Sequence, residues 1–129
     1  MGVLVDTSVW IEYFRSGENS KDLDKLIDEN LVVTNEVILA ELVPFLKLKR
    51  QYKVIGLLQE LIKSTLNVNW SEIIEFQTNC LKCGSNGIGL PDLMIAQNAM
   101  QNELEIFSLD KHFKFLHEIM DVQLYTKNG

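Results

Sequence analysis

What most limits the fold open to this chain is a repeated unit: a short β-rich apolar run, then a stretch of helical periodicity. Val3-Leu4-Val5 is the first run, and behind it Trp10, Tyr13 and Phe14 recur at i, i+3 and i+4, one face of a helix over Thr7–Arg15. Leu31-Val32-Val33, Glu105–Ser108 and Val122–Tyr125 repeat the strand signal, and Leu66–Asn69 adds a weaker one. Between them the pattern predicts helices from Ser20, as N-cap, to Glu29, from a Thr34 or Asn35 cap to Leu48, and over Gln51–Ser64. Ser71 is the expected cap of another, ending near Cys83 before the turn residues Gly84-Ser85-Asn86-Gly87. Pro91 opens the next, Leu93–Asn102, and Lys111–Ile119 is the last. Short strands separated by helices imply βαβ crossovers. The expected class is α/β: three layers, α/β/α, around a mostly parallel sheet of four or five strands.

At 129 residues, 47% of them hydrophobic, the chain makes one domain, 1–129, with a real core. A net charge of −6, without long runs of one sign, does not mark a disordered tail. No apolar stretch approaches the roughly 20 residues that span a bilayer. Asp6 interrupts the first apolar run and no basic segment precedes it, which argues against a secretory signal. The Met1-Gly2 start resembles a myristoylation site, but Asp6 stands where Ser or Thr is wanted. Two cysteines without an export signal fit a reducing cytoplasm.

In a parallel α/β sheet, ligands bind beyond the carboxyl ends of the strands. Four acids stand out by that rule. Asp6 ends the first strand, where it is equally a candidate helix cap. Glu41, in "VILAELVPF", shares a face with Val37, Ile38 and Phe45, where burying a charge needs a partner or a metal; at the edge of that stripe it would reach solvent instead. Asp92 lies in the first turn of its helix, on the face of Ile95, Ala96 and Ala99, and an acid there also suits the helix dipole. Asp110 follows a strand and precedes a helix, again a possible cap. Carboxylates without His or Cys companions suit a hard cation, Mg²⁺ or Mn²⁺, which relieves their repulsion and can acidify a bound water.

The segments "VLVDTSVWIEYF", "ILAELV", "GLPDLMIAQNAM" and "FSLDKHF" resemble, in order and spacing, the PIN-domain ribonucleases, and more narrowly the VapC-type toxins of toxin–antitoxin pairs. The resemblance runs over essentially the whole chain. It implies a metal-dependent endoribonuclease that cleaves cellular RNA by metal-activated water, leaving a 3′-hydroxyl and a 5′-phosphate. It assigns Asp6, Glu41, Asp92 and Asp110 to one or two Mg²⁺ or Mn²⁺ ions, with Ser8 and Ser108 in support. Many relatives carry another Asp where this chain has His112, which leaves metal ligation from that position open. The resemblance also implies a homodimer and a small antitoxin that sends an Arg or Lys into the acidic pocket. Trp10, Tyr13, Phe14, Val54 and Leu58 are candidates for the groove that anchors it.

Other signals are weaker. Cys80-Leu-Lys-Cys83 lacks the second ligand pair of a structural zinc site, and both cysteines align with Ile73 and Phe76, which suggests core packing. His112 and His117 do not share a helix face, which leaves a metal-free histidine pair poorly supported. Lys47, Lys49, Arg50 and Lys53 form the basic cluster of an acidic protein, either a solvated face or a seat for RNA phosphates. Two rival functions are a receiver-like Mg²⁺-binding signalling module and a catalytically weak RNA-binding protein of the same fold. A receiver needs an acidic pair ending strand one and an Asp ending strand three. Strand one here ends in a single Asp, and "LNVNW" carries no acid.

Overall fold

The computed structural model describes residues 2–85 and 87–126; Met1 of the Met-Gly start and Asn86 of the turn expected at 84–87 lie outside them. Five short strands form one sheet: β1 (Val3–Val5), β2 (Val32–Thr34), β3 (Ile62–Lys63), β4 (Glu105–Phe107) and β5 (Gln123–Leu124). They lie in the order β3-β2-β1-β4-β5, and every pairing is parallel. A receiver-type sheet runs 2-1-3-4-5, so the strand order argues against that rival. The helices are α1 (Thr7–Arg15), α2 (Asp22–Asp28), α3 (Glu36–Leu48), α4 (Tyr52–Gln59), α5 (Trp70–Lys82), α6 (Leu90–Gln101) and α7 (Lys111–Ile119). From β1 to β3 the chain steps one way across the sheet, and from β3 to β5 it returns past β1. Right-handed crossovers therefore put the two helix sets on opposite faces. In keeping with this, α1 and α4 pack on α3, while α5, α6 and α7 pack on one another.

The core follows from strands buried on both faces. Val3, Leu4 and Val5 are at most 5% exposed, as a central parallel strand requires. Ile38, Leu42, Ile95, Ala96, Phe113 and Leu116 close over the sheet from the helices. Cys80 joins this core, but Cys83 does not: it is exposed at the end of α5, contrary to the packing role expected for both. Among the described helices none is long and apolar enough to cross a membrane.

The main departures from the sequence expectation trace to competing hydrogen-bond partners. Ser20 does not cap α2. Its hydroxyl donates to Glu12 Oε1 (2.6 Å), and Ser16 Oγ and Asn19 N both reach Glu12 Oε2, so one carboxylate gathers the whole loop. The third strand is Ile62–Lys63, not Leu66–Asn69, and α4 stops at Gln59 rather than Ser64. Lys63 and Ser64 are drawn to the open edge of β2, where Ser64 N donates to Thr34 O (2.8 Å). The segment after it cannot pair as a strand because amide side chains of α6 take its carbonyls. Asn98 Nδ2 donates to Thr65 O, Gln101 Nε2 to Asn67 O and Gln97 Nε2 to Asn69 O, at 2.8–3.1 Å. Asn69, rather than Ser71, then caps α5 through Glu72 N.

Asn35 joins two helices that will matter below. Its Oδ1 accepts from Ile38 N, capping α3, and its Nδ2 donates to Asn98 Oδ1 on α6, both at 2.9 Å and both buried. Asn35→Ala removes the cap and leaves the Asn98 amide oxygen unpaired, so a loss of about 2–3 kcal/mol is expected in urea unfolding. A loss under about 0.5 kcal/mol would mean that water replaces both bonds.

Candidate active site

The register of the sheet builds the site. Val5 pairs with Phe107, and Asp6 N donates to Phe107 O (2.9 Å), so Asp6 and Ser108 emerge side by side beyond the carboxyl ends of β1 and β4. This is the point at which the strand order reverses, where parallel α/β sheets bind ligands.

Asp6 is 5% exposed and held by hydroxyls. Ser8 Oγ (2.8 Å) and Ser108 Oγ (2.9 Å) both donate to its Oδ2. Ser8 N also approaches Oδ2 at 3.4 Å, so Asp6 does cap α1. Each hydroxyl has one hydrogen and spends it on Asp6. The 3.3 Å approach between Ser8 Oγ and Ser108 Oγ is then a contact of two acceptors, and each oxygen instead accepts a backbone N–H, from Leu109 and Asp110 respectively (both 3.0 Å). All three bonds to Asp6 fall on Oδ2, which leaves Oδ1 for another ligand.

Asp110 is likewise both cap and candidate ligand. Its Oδ1 accepts from His112 N (2.9 Å) at the start of α7. Asp92, in the first turn of α6, accepts from His112 Nδ1 through Oδ2 at 2.9 Å, and the same nitrogen lies 3.5 Å from Asp110 Oδ1. Glu41 is exposed on α3, whose buried stripe is Ile38, Leu39, Leu42 and Leu46. It sits at the edge of that stripe, not within it, and Thr7 Oγ1 donates to its Oε1 (3.1 Å).

Electrostatics tie the four acids together. Burial pushes the Asp92 carboxyl above its ordinary value, His112 pulls it back, and the charges of Asp110 and Asp6 raise it further. Glu41 is raised by desolvation, lowered by the Thr7 bond, and raised again by Asp6, Asp92 and Asp110. The structure thus brings Asp6, Glu41, Asp92, Asp110, Ser8 and Ser108 to one end of the sheet. It does not bring Lys47, Lys49, Arg50 and Lys53 there: all four are exposed at the far end of α3 and the start of α4. The helix rise carries Lys47 about 9 Å along the axis from Glu41. Thr7, which orients Glu41, is the polar residue that sequence reasoning passes over; its signal is a hydroxyl directly after the strand-ending Asp6. A hollow of about 910 Å³ lies at the opposite end of the sheet among Ala99, Leu104, Glu105, Ile119 and Gln123, away from these acids.

The raised carboxyls carry a stability consequence. A carboxyl with a higher pKa folded than unfolded binds more protons when folded, so its stabilising contribution is full below the ordinary value and is lost as pH rises through the folded value. For Glu41 and Asp92 that loss begins near 4.5 and 3.8, respectively, and extends upward. Glu41→Gln keeps an acceptor for Thr7 and removes one of the repelling charges. In metal-free buffer its melting temperature is expected to exceed that of the wild type at neutral pH, the gap closing as pH falls into the carboxylate range. Equal melting at both pH values would mean that solvent screens Glu41 from the other acids.

The described residues that could jointly hold a metal ion through one atom each are Asp92, Asp110 and His112, whose ligand atoms lie within 4.8 Å of one another. No curated protein matches the chain. Solved structures do. A chain of the VapBC2 complex of Rickettsia felis bound to a promoter DNA fragment is similar at 22% identity and TM-score 0.75, over 97% of this chain and 98% of that one. FitAcB of Neisseria gonorrhoeae gives 24% and 0.70 over 96% of each chain. Mycobacterium tuberculosis VapC20, a sarcin-ricin loop cleaving toxin, gives 13% and 0.66 over 95% of this chain and 99% of that one. The PIN domain model matches residues 3–117. With a parallel sheet ordered 3-2-1-4-5 and four acids gathered at its reversal point, the chain belongs to the PIN-domain family.

Proposed function

We propose that this chain is a metal-dependent endoribonuclease and the toxin of a type II toxin–antitoxin pair, acting in the cytoplasm as a homodimer restrained by a small antitoxin. The observation that carries the proposal is the convergence of Asp6, Glu41, Asp92 and Asp110 at the reversal point of the sheet, with Asp6 locked by two serine hydroxyls. The donor set fits Mg²⁺ or Mn²⁺: hard carboxylate oxygens, several of them free of protein hydrogen bonds. A divalent ion bound there supplies Lewis acidity, lowering the pKa of water and offsetting charge on a phosphoryl oxygen.

The chain's own residues do the positioning. Ser8 and Ser108 fix Asp6 in one orientation through Oδ2, which leaves Oδ1 as the oxygen for a cation without a conformational search. Thr7 holds Glu41 toward the same point, and the start of α6 presents Asp92. Four carboxylates alone would repel an RNA backbone, so substrate approach requires the cation. Lys47, Lys49, Arg50 and Lys53 are proposed as outlying phosphate contacts, which would fix RNA register without reading sequence. Structural neighbours that are VapBC and FitAcB complexes support the antitoxin, and VapC20 supports RNA as the substrate. Trp70, Ile74 and Leu81, exposed along one side of α5, supply apolar surface of the kind a second copy covers.

The test is direct. Purified protein is expected to cut RNA in Mg²⁺ or Mn²⁺, to leave 5′-phosphate ends, and to stop when EDTA is added. Cleavage that persists in EDTA, or no cleavage of any cellular RNA with either ion, overturns the proposal.

A further inference from the structure

The imidazole of His112 stands among the acids in a position that a bystander would not need. Its Nδ1, not its outer edge, faces inward, 2.9 Å from Asp92 Oδ2 and 3.5 Å from Asp110 Oδ1. Its backbone is fixed as well, because His112 N donates to Asp110 Oδ1 in the first turn of α7. The chain passes along the other edge of the ring, where a Cβ added to Gly87 would come within 3.6 Å of Nε2. One atom each from Asp92, Asp110 and His112 lies within 4.8 Å of the others. Ligands about 2.0–2.2 Å from one ion are separated by no more than about 4.4 Å, so a shift of a few tenths of an ångström closes this group on a cation. The bond now joining Nδ1 to Asp92 occupies the space where that cation would sit between them.

We propose that His112 Nδ1 is a direct ligand of the divalent ion, together with Asp92 and Asp110. The inference rests on the metal-dependent function proposed above and adds the donor that sets which metal is preferred. An all-carboxylate site suits Mg²⁺, whereas an imidazole nitrogen binds Mg²⁺ poorly and first-row transition ions well. The mixed set therefore tilts the site toward Mn²⁺. His117, the other histidine, takes no part: its Nδ1 lies 2.6 Å from Val122 O, at the far end of α7.

The experiment uses the full chain and Mn²⁺ or Mg²⁺ alone, without RNA. Pulsed electron paramagnetic resonance of the Mn²⁺-loaded protein is expected to show ¹⁴N coupling from a bound imidazole. The coupling should vanish in His112→Gln and His112→Asp and persist in His117→Gln. By calorimetry, the preference for Mn²⁺ over Mg²⁺ is expected to fall at least about tenfold in His112→Asp, the scale on which even an outer-shell partner alters metal affinity. His112→Asp keeps a charged ligand, so its binding should survive while its selectivity drops. Mn²⁺ uptake that Asp92→Asn weakens but that shows no nitrogen coupling overturns this inference and leaves the nuclease proposal standing. No Mn²⁺ uptake by the wild type, or uptake indifferent to Asp92→Asn, overturns both.

Discussion

Asp6→Asn is expected to lower RNA cleavage by at least about a hundredfold, the scale on which one well-placed electrostatic group contributes to a transition state, while the chain stays folded. The geometry explains why those two effects separate. The bonds from Ser8, Ser108 and the α1 backbone all end on Oδ2, and the amide oxygen of Asn can accept each of them. The amide nitrogen then replaces Oδ1, the oxygen left for a cation, and turns a ligand into a donor. Circular dichroism and melting should therefore match the wild type or exceed it, since one repelling charge is gone. Ser8→Ala is the informative companion. It removes one of the donors on Asp6 and the acceptor for Leu109 N, so it should slow cleavage less than Asp6→Asn does. If Asp6→Asn cleaves at the wild-type rate, the activity belongs to a contaminant or to a different site.

How far the sequence could be read is clearest where its signals are local. The bounds of β1, α1 and α7 follow from an apolar run, a cap and helical periodicity, and they stand in the structure as the pattern predicts. Elements decided by distant partners were not legible in the same way. Ser20 has the chemistry of a cap, but Glu12 claims its hydroxyl. Leu66–Asn69 has some β character, but Gln101 and Gln97 claim the carbonyls of Asn67 and Asn69 from another helix, and Asn98 claims that of Thr65 just before it. Those amides sit on a helix whose buried face includes Gln97 and Asn98, polar residues that signal a partner without naming it.

The site divides along the same line. Asp6 and Asp110 are marked by their places after strands and Asp92 by its helix start, and all three lie where those positions imply. The cap and ligand roles that compete in the sequence prove compatible for Asp6 and Asp110, because a carboxylate has two oxygens and each cap uses only one. Glu41 keeps the face it shares with Val37 and Phe45, but both of those are only half-buried, and Glu41 takes the solvent-reaching edge of the stripe that the sequence left open as the alternative. His112 shows the other limit. Its separation from Asp92 in sequence hides a contact that only the docking of α7 against α6 creates.

Leu57→Asp is expected to release the protein from the antitoxin proposed above while leaving the proposed RNase activity intact. Trp10, Tyr13 and Phe14 of α1 and Val54, Leu57, Leu58 and Leu61 of α4 and its end, with Ile27 of α2, line a hollow of about 400 Å³. Its floor is built from contacting side chains: Trp10 stacks on Phe14 at 5.9 Å, and the Tyr13 hydroxyl donates to Asp24. A preorganised apolar trough of this kind suits the nonpolar face of an amphipathic helix. Trp10 and Leu58 are buried, and truncating them would confuse folding with binding. Leu57 is 65% exposed, so a charge there costs the free protein little but would be desolvated under a partner. Loss of a central apolar contact is worth about 2 kcal/mol or more, roughly thirtyfold in affinity. If the toxin reading holds, an antitoxin encoded beside this chain should bind the wild type and Asp6→Asn alike and relieve the growth arrest expected on expressing the wild type. It should bind Leu57→Asp at least thirtyfold more weakly and fail to rescue cells expressing that variant. Undiminished binding to Leu57→Asp would move the antitoxin off this groove. Wild-type expression that is harmless at levels where RNA is cut would leave a PIN-domain nuclease that is not a toxin.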